Sequence, residues 1–281
     1  MFKENFLGKT ALAEQCEIKN DQVLDFDYNI REERLIVTSN NDLIIDNHGL
    51  GYRIIYDLLE FNLNPEGVSY LGYLKYQQLE ATPEKEKEWK QKREVAYNGS
   101  LRHFINAAMN NEELSGFLVD EIELKRNPDR PTNKEIAKAA RLLNVQAGLQ
   151  KNPFNKNINL ELEVDKAIAT LDKAKMKRFS EVLKKRNLNF KEFIRTDSIT
   201  PYLYSKNLLK VRYMREFEDD KYPSKFAGRN YQVSRIRFTN EKVMLNPLGI
   251  LENPLDIVLE GYWAFEKVGD ALPLDYQPAK K

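Results

Sequence analysis

Apolar residues in the first quarter of the chain fall in short runs separated by Asn, Asp, Arg and Glu. Val23, Phe26 and Tyr28 are followed by Leu35 to Thr38, Leu43 to Ile45, and a longer run from Leu50-Gly51-Tyr52 to Phe61. Such spacing predicts an antiparallel meander. Ahead of it, Phe2, Phe6 and Leu7, with Ala11, Leu12 and Ala13 beyond Gly8, predict a short amphipathic helix over residues 2 to 15. Asn64-Pro65-Glu66-Gly67 predicts a turn, and Leu71-Gly72-Tyr73 repeats the earlier Leu-Gly-Tyr in the following strand. Paired glycines of this kind let a backbone or an aromatic ring approach a sheet, a packing role preferred here to ligand binding.

The period then changes. Glu84 to Tyr97 holds no Gly, Pro or β-branched run, and Trp89, Arg93, Ala96 and Tyr97 recur at steps of three and four, as on a helix. Asn98-Gly99 stops it and Ser100 supplies an N-cap for a second helix bearing Leu101, Phe104, Ile105 and Ala108. Gly116 to Leu124 reads as a returning strand and residues 126 to 131 as a link. Thr132 with Glu135 forms a capping box for a helix from Asn133 to about Val145. Residues 146 to 159 read as a loop. Val164, Ile168, Leu171, Phe179, Val182 and Leu183 fit one face of a single helix ending at Arg186-Asn187. Leu208 to Phe217 and Tyr231 to Thr239 alternate as strands around an exposed turn at residues 222 to 229. Val243 to Leu245 adds an edge, Pro254 opens residues 255 to 259, and Gly261-Tyr262-Trp263 leads into a short helix.

These elements predict an α+β fold: an antiparallel sheet with the helical hairpin of residues 84 to 110 packed on one shared core, and a helical excursion. The expected organisation is a single domain over residues 1 to 281. Its parts are residues 1 to 124 (meander and hairpin), 125 to 195 (excursion) and 196 to 281 (returning strands and short helix). Trp263 is expected to be buried against the hairpin. A length of 281 residues permits a real core, and 42% hydrophobic residues with 11% aromatics exclude disorder. The net charge of +1 conceals an acidic start: residues 1 to 80 hold 7 Lys/Arg against 14 Asp/Glu. That portion and the basic remainder are expected to attract each other. One cysteine, Cys16, excludes an intrachain disulfide, and two histidines beside it argue against a zinc site. No cofactor or metal is expected. No signal-peptide core and no run of about 18 apolar residues is present, so membrane contact is expected to be at most peripheral.

Candidate chemistry centres on the hairpin corner, where Arg93, Tyr97, Ser100 and His103 follow at steps of four, three and three. Ser100 and His103 are the catalytic candidates, as nucleophile and base of a hydrolase. No acidic residue lies near in sequence to orient the imidazole, so a hydrogen-bonded corner is the preferred reading. Arg93, Tyr97 and His103 are binding candidates there, as are Tyr262 and Trp263 in the C-terminal block. A third candidate is the basic helix 173–195, with nine Lys/Arg against two Asp/Glu, for an anionic surface. No nucleic-acid signature accompanies it.

Three stretches carry a resemblance: FLGKTALAEQCEIKN, then LIIDNHGLGYRIIYDLLEF with AYNGSLRHF, and NPLDIVLEGYWAFEKVGDALPLDYQP. Together they resemble the uncharacterised region that follows the carboxypeptidase-regulatory-like domain, a β-sandwich, in cell-envelope proteins of Bacteroidetes. The resemblance implies a non-catalytic interaction or scaffold module with an envelope or protein partner. It also implies a fragment or shortened relative, since an export signal and the sandwich usually precede that region. The compartment would then be the envelope or periplasm, and the cytoplasm if the chain is complete. A zinc peptidase is not implied, because neither histidine stands in a His-x-x-Glu or His-Glu-x-x-His pattern.

Overall fold

The computed structural model describes residues 1–149, 158–224 and 228–278. Its fold is α+β. Helix α1 (Phe2–Leu7) precedes strands β1 (Cys16–Ile18), β2 (Leu24–Asn29), β3 (Arg34–Ser39), β4 (Leu43–Asn47), β5 (Tyr52–Asn64) and β6 (Gly67–Gln78). These strands form a six-stranded antiparallel sheet in which the long β5 carries β4 and β3 along one edge and β6 along the other. On β5 the inward residues are Ile54, Tyr56 and Leu58, then Phe61. The parity changes because pairing with β6 shifts between Leu58 and Glu60, a bulge that turns Phe61 inward in place of Glu60. The expected helix over residues 2 to 15 is shorter than its pattern: Gly8 at φ 101° ends α1, and only a 3₁₀ turn, Ala13–Gln15, follows.

The hairpin forms as expected, with α2 (Pro83–Tyr97) and α3 (Leu101–Met109) joined through Asn98-Gly99-Ser100. Then come β7 (Phe117–Arg126), α4 (Asn133–Leu149), α5 (Ile158–Ala174), β8 (Phe179–Lys185), α6 (Phe190–Phe193), β9 (Ile194–Asp197) and β10 (Thr200–Tyr204). The chain continues through β11 (Leu208–Phe217), β12 (Tyr231–Phe238), β13 (Lys242–Met244), β14 (Ile257–Gly261) and α7 (Tyr262–Phe265). A five-stranded sheet has the order β14-β12-β11-β7-β8 and a three-stranded one the order β13-β10-β9. The Thr132/Glu135 capping box is present, with the Glu135 N–H on Thr132 Oγ1 at 3.2 Å and the Thr132 N–H on Glu135 Oε2 at 2.7 Å. Parts of the expected loop at 146–159 and of the expected turn at 222–229 lie outside the described residues.

Two expectations are corrected. Residues 173–195 are not a helix, and the face drawn from Val164 to Leu183 joins two elements. Helix α5 stops at Ala174, the N–H groups of Lys175 and Met176 turn back to Asp172 and Lys173, and Phe179–Lys185 is a strand. Phe179 and Leu183 are exposed, so their helical spacing was coincidental. The one shared core is also not found. One apolar cluster lies within the N-terminal sheet, around Phe6, Ile45, Ile54 and Phe61. A second holds Phe104, Phe117, Phe193, Leu209, Ile236 and Trp263, and α3 belongs to it. Contacts divide the chain into two compact units, Met1–Glu121 with Lys185–Lys281, and Ile122–Lys184.

Within the first unit, α2 buries only Trp89, Arg93 and Tyr97, one residue per turn. Gly51, at φ +72°, makes room for the first of these, because an added Cβ would lie 2.1 Å from the Trp89 indole. Trp89 Nε1 donates to His48 O at 2.8 Å, and Arg93 Nε donates to Leu50 O at 2.7 Å while its plane covers the Tyr52 ring at 3.9 Å. The second Leu-Gly-Tyr behaves alike: a Cβ on Gly72 would meet the Tyr56 ring at 2.3 Å. Both glycines therefore serve aromatic packing. Gly51→Ala should lower the unfolding free energy by about 2–5 kcal/mol, combining left-handed strain with overpacking. Urea denaturation checks this, and an unchanged midpoint with an unchanged slope would contradict it.

Candidate functional site

At the hairpin corner Ser100 caps α3. Its Oγ accepts the His103 backbone N–H at 3.2 Å and donates to Tyr97 O at 2.6 Å. The imidazole Nδ1 accepts the Gly99 N–H at 3.1 Å, and the ring packs beside Tyr97, Phe117 and Tyr213. Burial, then the Arg215 charge, push the His103 pKa down to about 4, so the ring is neutral at pH 7. No hydrogen bond joins Ser100 Oγ to the imidazole. Both groups are used in holding the corner, and the geometry of a nucleophile and its base is not formed.

The other candidates separate. Arg93 is spent on the Leu50 and Gly51 carbonyls. Trp263 is buried against the hairpin, its Nε1 donating to Gly99 O at 2.6 Å and its ring 5.4 Å from Phe104. Tyr97, whose hydroxyl accepts from Asn106 at 3.1 Å, borders with His103 an open cleft that also meets Arg215 and Leu248. Tyr262 is buried beside Tyr222 but reaches a different cavity.

That cavity, of about 500 Å³, is lined by carboxyl groups from distant parts of the chain. Glu216 reaches it because the pairing of β11 with β12 slips between Tyr213 and Phe217, taking residues 214 to 216 off the ladder. Such bulges re-aim side chains. From β12, Gln232 is 6% exposed and donates its Nε2 to Glu216 Oε2 and Phe217 O, each at 3.4 Å. Its Oε1 is buried with no donor. Glu266 follows α7 and Asp270 lies four residues on. Asp270 accepts the Thr10 hydroxyl at 2.7 Å and the Lys267 N–H at 3.3 Å.

Desolvation dominates the electrostatics. Burial pushes the Glu216 carboxyl up to about 7 against the opposing Gln232 donor. It pushes Asp270 up to about 6 despite the Thr10 and Lys267 donors. Glu266 is raised well above its usual range by burial and then by the charges of Asp270 and Glu216. Carboxyls raised by burial in a cleft are candidates for a functional site. Among the described residues no group of three His, Cys, Asp or Glu is placed to hold a metal ion.

Neither Glu216, Gln232, Glu266 nor Asp270 was a candidate in the sequence. The only local sign is the i, i+4 spacing of Glu266 and Asp270, which is common by chance. Comparison of the chain with protein-family models, with curated proteins and with solved structures finds no match.

A pH dependence follows. A carboxyl whose folded pKa is raised contributes stability that is complete below its unfolded value and is lost as pH rises through the folded one, about 7 for Glu216. Glu216→Gln should therefore gain thermal stability relative to wild type as pH rises from about 5 to about 8. The comparison cancels His103, whose depressed pKa acts in the opposite sense at lower pH. A difference in Tm that stays constant over that range would contradict the placement of Glu216.

Proposed function

We propose that the chain is a non-catalytic interaction module of the cell envelope that holds a ligand or partner group in the acid-lined cavity. The observation that carries this reading is the cavity itself, open and about 500 Å³, with the Glu266 carboxyl at its wall reached by no hydrogen bond among the described residues. The envelope assignment rests on the resemblance of the three sequence blocks. Exposed Phe26, Tyr28 and Tyr73 on β2 and β6 are consistent with contacts made by an interaction module. A hydrolase at the corner has less support, because Ser100 Oγ is engaged by the backbone on both sides.

A thermal-shift screen of small molecules of every charge class tests this. Val95 is exposed on α2 and lines the cavity, so Val95→Trp should obstruct it and leave the fold intact. At least one compound class is expected to raise the Tm of wild type and not of Val95→Trp, while a panel of esters and peptides is not hydrolysed. Shifts of equal size in both proteins would overturn the cavity as the site. Hydrolysis lost in His103→Ala would overturn the non-catalytic reading.

A further inference from the structure

Resting on the cavity reading, one step further concerns the ligand's chemistry. Glu216, Glu266 and Asp270 converge from three segments on one space. Among the described residues lining it, the one cationic side chain is Arg215, and its guanidinium donates to the Leu114 carbonyl. No hydrogen bond or ion pair among the described residues reaches the Glu266 carboxyl. With Asp219, four carboxyls line the cavity against that one engaged cation. A cation among these carboxyls takes the place of the protons that burial otherwise keeps on them, an exchange that an anionic ligand does not offer. A bare metal ion is far smaller than about 500 Å³ and finds no ligand cluster. The lining also holds the apolar side chains of Leu12, Val95 and Ala96 and the Tyr262 ring.

We propose that the cavity binds an organic cation, an ammonium or guanidinium on an alkyl stem, with its charge against Glu216, Glu266 and Asp270 and its stem along Leu12, Val95 and Ala96. The cation's N–H groups supply donors to the Glu266 carboxyl and to the remaining lone pairs of Glu216 and Asp270, and the fork of a guanidinium spans two acceptors at once. An aromatic wall adds attraction for a desolvated cation. Free amines and basic peptide side chains share this chemistry, and the probes below separate them.

Calorimetric titration of the full chain with agmatine, N-acetyl-arginine amide and the uncharged isostere N-acetyl-citrulline amide tests the proposal. Saturable one-to-one binding of at least one cation is expected, about tenfold or more tighter than the citrulline compound. Glu266→Gln should weaken it by about tenfold or more, and Val95→Trp should abolish it. Glu216→Gln is a second variant should the first fail to fold, as judged by circular dichroism. Binding of agmatine alone assigns the site to free amines, and binding of the arginine amide assigns it to peptide side chains. Citrulline binding as tight as arginine, or affinity unchanged in both acid variants, overturns the cation and leaves the cavity reading standing if Val95→Trp still abolishes binding. No binding of any probe at millimolar concentration, or binding indifferent to Val95→Trp, overturns both.

Discussion

One contact determines where the first unit's helices lie: the Trp89 indole in the space a Cβ would fill at Gly51. Helix α2 is otherwise charged and buries a single stripe of three residues, far less than the amphipathic face that normally holds a helix in place. Its position depends on Trp89 and Arg93 satisfying the carbonyls of His48, Leu50 and Gly51. A buried guanidinium without acceptors would be costly, so Arg93 and the turn it caps must form together. At the far end of α2 the Asn98-Gly99-Ser100 corner meets the second core. There Gly99, at φ +75°, leaves no room for a Cβ beside Gln232 and Tyr213, and its carbonyl receives Trp263 Nε1. The helix thus spans from the edge of the N-terminal sheet to the second apolar cluster.

The same geometry creates the cavity. Val95 and Ala96 on α2 form one wall, and the bulged end of β11 and the residues after α7 form the others. Closing these carboxyls together works against stability above their raised pKa values, since each must give up hydration without gaining a cation. A local inconsistency of this kind, a bulge beside buried acids, is expected at a functional or strained site. The Ser100 and His103 corner shows the opposite pattern. Ser100 Oγ and His103 Nδ1 are both used within the protein there, and the neutral imidazole packs as an aromatic ring.

What the sequence revealed was local. The meander, the hairpin with its Asn-Gly-Ser corner, the Thr132/Glu135 cap and the short helix after Gly261 each follow from residues within a few positions of one another. The two Leu-Gly-Tyr repeats declared aromatic packing because only glycine admits a ring that closely. The misreading at residues 164 to 186 came from a helical period that continued by chance across the end of α5, where pairing with β7 makes Phe179–Lys185 a strand. The division of the apolar residues into two clusters depends on which strands pair, which no local pattern states. The cavity was hidden for the same reason. Thr10, Glu216, Gln232 and Asp270 meet only through tertiary structure, and Glu216 turns inward only because of a slip in register.

Helix α2 joins the two apolar clusters of the first unit into one cooperative structure. The chain's two tryptophans report on its two ends, Trp89 beside the N-terminal sheet and Trp263 in the second cluster. Labelling both with 5-fluorotryptophan and following the two ¹⁹F resonances through a urea titration measures the coupling directly. The native signals of Trp89 and Trp263 should disappear together, with one midpoint and one slope. Loss of the Trp89 signal at a clearly lower urea concentration, with Trp263 still native, would contradict it.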